Sequence, residues 1–80
     1  MRYDWQEVEH TLQKTFAFNG FREALAFVNK VGEIAERLEH HPDICIRNYK
    51  SVFIATTTHD KGKVVTEKDY ALAAAIDRAA

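Results

Sequence analysis

Three of the four histidines in this 80-residue chain stand where protons could be moved. His40 and His41 are adjacent and precede Pro42, His59 closes a β-rich run, and Glu36 lies four residues before His40. If a helix persists that far, Glu36 sits one turn from His40 and is close enough to orient an imidazole. An unperturbed imidazole titrates at about 6.5, so it can give or accept a proton at neutral pH. The set therefore points to acid–base chemistry, and no Ser or Cys stands beside a partner base. The residues alone leave a second reading open, in which paired histidines before a proline are ordinary turn residues and a strand-end histidine is solvated.

A zinc site could draw on His40, His41, His59 and either Cys45 or Glu36. Adjacent histidines rarely aim at one ion, however, and no paired-cysteine or HExxH pattern is present, so no metal is expected. His10 reads as surface. Cys45, alternating with Ile44 and Ile46, reads as a small buried strand residue. Asp69 follows Thr66 by three positions and is first a capping-box residue, a role compatible with one in the site. Glu33 and Arg37 fit the solvated face of a helix, and Trp5, Phe16 and Phe18 fit the core.

These residues need elements to hold them. Alternation of Leu12, Lys14, Phe16 and Phe18 predicts a strand over Leu12–Phe18, paired with a short one near Trp5–Val8. After Asn19-Gly20, apolar residues recur at helical spacing from Phe21 to Leu38. That stripe is wider than one sheet face covers, and Gly32 within it suggests close approach of another backbone or ring. The helix must end before Pro42. Residues Ile44 to Thr58 read as a hairpin turning at Arg47–Ser51, with His59 at the end of its second strand. A polar loop, Asp60–Lys63, follows, and Thr66 to Asp69 opens a helix continuing through Tyr70–Ala80. The order (β)β-α-ββ-α predicts an α+β fold, a sheet of about four antiparallel strands with two helices on one face, as one domain over residues 1–80.

Composition narrows the function. With 11 Lys+Arg against 12 Asp+Glu, nothing draws the whole chain to nucleic acid or anionic lipid. One cysteine forms no internal disulfide, and the start shows no signal-peptide pattern, so a cytoplasmic protein is expected. No uncharged stretch nears the roughly 20 residues that span a bilayer, and no membrane role is expected. A chain this short has a thin core, which favours self-association.

The run Glu36-Arg-Leu-Glu-His40-His41-Pro42-Asp43-Ile44, then Tyr49, Thr57-Thr58-His59-Asp60 and Thr66-Glu67-Lys68-Asp69, resembles the pterin-4a-carbinolamine dehydratases. Leu12, Phe16-x-Phe18, Phe21, Ala24 and Phe27-Val28 resemble that family's strand-into-helix segment. The resemblance implies that His40, His41 and His59 are the active-site histidines, with Glu36 a supporting acid and Asp69 the acid of the closing motif. It further implies pterin contacts by Glu39, Pro42, Thr57, Thr58 and Asp60. The implied reaction converts 4a-hydroxytetrahydropterin to quinonoid dihydropterin and water in tetrahydrobiopterin recycling, without a cofactor. A homodimer or homotetramer is implied too, through the Phe21–Leu38 face or the sheet edges.

Three departures stand out. The spacing from His-His-Pro to Thr-His is one residue longer than in the animal enzymes. The His59–Asp69 loop is longer by one and carries Lys61 and Lys63, and the chain starts near Trp5, short of the extra N-terminal segment of longer relatives. The alternative function is a non-catalytic interaction or regulatory module that uses the helical face. A pure scaffold has no need of all three histidines together with Glu36, which favours the enzyme.

Overall fold

The computed structural model describes residues 4–59 and 62–80. In chain order the elements are β1 (Gln6–Val8), β2 (Thr11–Ala17), α1 (Phe21–Leu38), β3 (Asp43–Arg47), β4 (Ser51–Thr56) and α2 (Glu67–Ala79). The strands form one sheet in the order β1-β2-β4-β3, antiparallel at every junction. Because β2 and β3 both run against β4, they are parallel to each other, and α1 carries the chain over the sheet between them. The expected α+β architecture is thus observed.

Local chemistry explains the elements. Glu9 and His10 both adopt left-handed backbone, with φ of 47° and 68°, and close a two-residue hairpin between the paired Val8 and Thr11. At the start of α1 the Glu23 carboxylate accepts the Asn19 N–H at 2.9 Å, near the positive end of the helix dipole. At α2 the anticipated capping box is present. The Thr66 hydroxyl accepts the Lys68 N–H, and the Asp69 carboxylate accepts the Thr66 N–H at 2.9 Å.

Strand parity builds the core. Leu12 and Phe16 of β2 lie opposite Thr56 and Val52 of β4, and with Ile54 they meet Phe27, Val31 and Ile34 of α1 and Leu72 and Ile76 of α2. Lys14 shares that parity but sends its Nζ to Asp77 of α2 at 2.9 Å, and the Trp5 indole N–H donates to the same carboxylate at 3.1 Å. Both helices therefore cover one face of the sheet. No helix among the described residues is long and apolar enough to cross a membrane.

The structure corrects three expectations. Cys45 is exposed, because it alternates with Ile44 and Ile46 and faces the side of the sheet that neither helix covers. A Cβ at Gly32 would meet nothing within 4 Å, so among the described residues no backbone or ring approaches it. Strand β4 stops at Thr56, three residues short of His59, and the chain continues as an isolated bridge between Thr58 and Val64. The β3–β4 turn falls at Asn48–Lys50, with Asn48 and Tyr49 both at φ 52°, inside the segment expected to turn.

Candidate active site

Register places the site. Asp43 at the start of β3 pairs with Ala55 near the end of β4, so the residues before β3 and those after β4 emerge at one end of the sheet. The C-terminus of α1 and the N-terminus of α2 arrive at the same end.

The exit from α1 separates the two adjacent histidines. Glu39 has φ 55° and ψ 40°, the left-handed conformation, and the His40 N–H closes back on the Ala35 carbonyl at 3.1 Å. For a residue with a Cβ this conformation costs about 1–2 kcal/mol. Beyond the turn, His40 Nε2 lies 2.6 Å from Asp69 Oδ1, whereas His41 Nε2 lies 2.6 Å from Glu36 Oε2. Glu36 thus pairs with the ring of His41, and His40 is drawn to α2. The left-handed turn at Glu39 ends the helix before either histidine, so the two rings leave a non-helical segment and reach different acids.

The two pairs differ in kind. The His41 and Glu36 side chains are 63% and 79% exposed, so their contact is screened by water and contributes little stability. Asp69 is fully buried, and four donors converge on it. Oδ1 faces Thr56 Oγ1 at 2.7 Å and His40 Nε2, while Oδ2 accepts from Thr58 Oγ1 at 2.8 Å and from the Thr66 N–H. Burial alone pushes this carboxyl up. The Thr56 hydroxyl, the His40 ring, the Thr66 amide and the Thr58 hydroxyl outweigh it and hold the carboxyl below its ordinary 3.8.

His40, His41 and His59 line a cleft of about 270 Å³, with Glu39, Thr57, Thr58 and Lys68 around it. A larger groove, about 770 Å³, runs between α1 and β3 and takes in Glu36, His41, Pro42 and Ile44, but holds neither His40 nor His59. The smaller cleft is the one in which several imidazoles meet. Thr57 borders it, yet its hydroxyl donates to the His10 carbonyl at 2.7 Å and ties the β1–β2 turn to the site. Asp60 lies outside the described residues. Within this cleft the exposed His59 and the Asp69-held His40 offer proton transfer at separate points, and among the described residues no group of three His, Cys, Asp or Glu side chains could hold a metal ion.

Two residues escaped the reading of motifs. Thr56 is 1% exposed and shares the core parity of Val52 and Ile54. A polar residue on a buried parity is the available signal, since a buried hydroxyl requires a partner. Lys68, which the Thr66–Asp69 motif contains without assigning it a role, borders the cleft because it follows the N-cap of α2.

The family model described as pterin 4 alpha carbinolamine dehydratase matches residues 1–79. A protein of Thermomicrobium roseum, provisionally named a pterin-4-alpha-carbinolamine dehydratase, is 51% identical over 69 residues, covering 86% of this chain and 72% of its own. A similarly named protein of Chloroflexus aurantiacus is 51% identical over 76 residues, covering 95% and 80%. Among solved structures, the transcriptional coactivator/pterin dehydratase of Brucella melitensis superposes with a TM-score of 0.86 at 30% identity, covering 96% of this chain and 82% of that one. A pterin dehydratase-like protein identified as a RuBisCO assembly factor in the alpha-carboxysome superposes with a TM-score of 0.78 at 26% identity, covering 96% and 89%. With the family model spanning nearly every residue and relatives half identical across most of their length, this chain belongs to the pterin-4-alpha-carbinolamine dehydratase family.

Proposed function

We propose that the chain dehydrates a 4a-hydroxytetrahydropterin to the quinonoid dihydropterin in tetrahydrobiopterin recycling, by histidine acid–base catalysis in the cytoplasm. The observation that carries this is the meeting of His40, His41 and His59 around one cleft, with His40 held by a buried carboxylate. The C4a–OH bond breaks as a proton is delivered to the leaving oxygen, and N5–H gives up its proton as the C4a=N5 bond forms. The sum is one water lost. Two imidazoles cover both transfers, each contributing about 10²–10⁴-fold, and the reaction as written calls for no metal or organic cofactor.

In this reading His40 and His59 are the proton-transfer pair, and His41, steered by Glu36, positions substrate. Glu39, Thr57 and Thr58 border the bound pterin, and Pro42 shapes the approach from the α1–β3 groove. Asp69 acts through His40, since it is too buried to touch the ligand. The test is conversion of freshly generated 4a-hydroxytetrahydropterin above the uncatalysed rate. His40→Ala and His59→Ala are expected to lose that acceleration while staying folded, and full turnover in either variant sinks the assignment.

The same reading includes a homodimer or homotetramer. Phe21 and Leu25 of α1 stay 51% and 44% exposed, on the helix flank that also carries Gly32. A second copy covering this face, or pairing through the free edges of β1 and β3, is expected in sedimentation, and Leu25→Glu is expected to reduce it. The exposed α1 face also favours a second reading, an interaction module like the assembly-factor neighbour. Absence of dehydration by the folded wild type selects it.

A further inference from the structure

We infer that Thr56 and Thr58 are positioning residues for the dehydration: their hydroxyls clamp the Asp69 carboxylate so that it accepts the His40 Nε2 proton, leaving Nδ1 as the ring nitrogen presented to the pterin. The inference rests on the dehydratase reading for its consequence, but its geometry stands apart from it.

Proton counting carries the argument. An ionised carboxylate only accepts, and it offers about four lone-pair sites. The hydroxyls of Thr56 and Thr58, the Thr66 N–H and His40 Nε2 occupy that capacity. Asp69 is left no acceptor for substrate and cannot serve as the base.

Each threonine hydroxyl has one proton. Thr56 and Thr58 spend theirs on Asp69, so in the 2.7 Å contact between Thr58 and Thr66 the donor is Thr66. The result is a directed chain from Thr66 to Thr58 to Oδ2, with Thr66 in turn accepting the Lys68 N–H at 3.3 Å. Thr56 is 1% and Thr58 5% exposed, so their protons are committed inside the protein. On Oδ1, His40 Nε2 can make its short contact with a carboxylate only by carrying the proton. That fixes the neutral ring in the Nε2–H tautomer, with Nδ1 bearing the lone pair. Among the described residues, the charged groups bordering the cleft besides this cluster are Glu39 at the end of α1 and Lys68 on α2, while Glu36 stands outside it, paired with His41.

The test is nitrogen-15 NMR of the histidine rings, which reads the tautomer without substrate, combined with steady-state kinetics. In the wild type, neutral His40 is expected as the Nε2–H tautomer. Thr56→Val keeps the shape and removes the donor, and it is expected to lower kcat about tenfold with KM within about twofold, while the Nε2–H signature weakens. Thr56→Ser returns the hydroxyl and is expected to restore both.

An Nδ1–H tautomer in the wild type overturns the clamp, even if Thr56→Val does not fold. So does Thr56→Val with unaltered ring signals and kcat, or Thr56→Ser as impaired as Thr56→Val. A wild type with the expected ring signals but no dehydration sinks the dehydratase reading and leaves the clamp standing.

Discussion

Asp69→Asn removes one charge and keeps the shape, which makes it the sharpest probe of the site's foundation. Asn offers one carbonyl oxygen where Asp offers two carboxylate oxygens. With that oxygen in the Oδ2 place, the bonds from Thr58 and the Thr66 N–H survive in neutral form, and an NH₂ group confronts Thr56 and His40. Thr56 can rotate to accept, but its own proton then has no partner. A hydrogen bond to a charged group contributes about 1.5–3 kcal/mol against about 0.5–1.5 for a neutral one, so the two surviving bonds weaken by about 1 kcal/mol each and the two that face the NH₂ group lose at least as much. Part returns because a charge no longer has to be buried. The expected net loss is about 2–4 kcal/mol, out of about 4–12 for a domain of this length. In thermal unfolding that is a fall of about 10–25 °C.

The pH dependence carries its own sign. Asp69 is held below 3.8 in the fold, so its contribution is complete above the unfolded value and is lost as pH falls through the lower folded value. The gap between wild type and Asp69→Asn, followed by urea unfolding, should therefore be constant near neutrality and narrow below about pH 4. A difference under about 0.5 kcal/mol at pH 7, or a gap that persists unchanged into acid, would refute the buried-carboxylate account.

Other consequences are separable. Glu39→Gly relieves left-handed backbone at the exit of α1 and should raise stability by about 1 kcal/mol in urea unfolding, unlike most substitutions near a site. Leu72→Ala opens space in a fully buried position and should cost about 2–5 kcal/mol by the same measurement. Glu36→Gln alters an exposed pair, so stability should move by less than about 0.5 kcal/mol, and any kinetic change should fall on KM more than on kcat.

Local pattern was enough for most of the fold. Helix α1 runs over the Phe21–Leu38 stripe because its apolar residues recur with the helical period, and α2 begins at the capping box because Thr66 and Asp69 satisfy each other's backbone N–H groups. The histidine set was legible as residue types capable of proton transfer, and its family through the spacing of those residues.

Chain order could not tell which acid meets which ring. Glu36 lies nearer to His40 in sequence, yet it pairs with His41, because the helix ends at left-handed Glu39 and His40 no longer sits one helical turn above Glu36. Asp69 reaches His40 across 29 positions, and only the β3–β4 register and the arrival of α2 bring them together. Cys45 shows the same limit, since alternation assigns a residue to one face of a strand but does not say which face the helices will cover. The sequence by itself determined the elements, the cap that opens α2 and the kinds of side chain available for proton transfer. Tertiary structure alone decided their pairing, because hydrogen bonds at 2.6–2.8 Å depend on where separate elements dock, a property of packing and register.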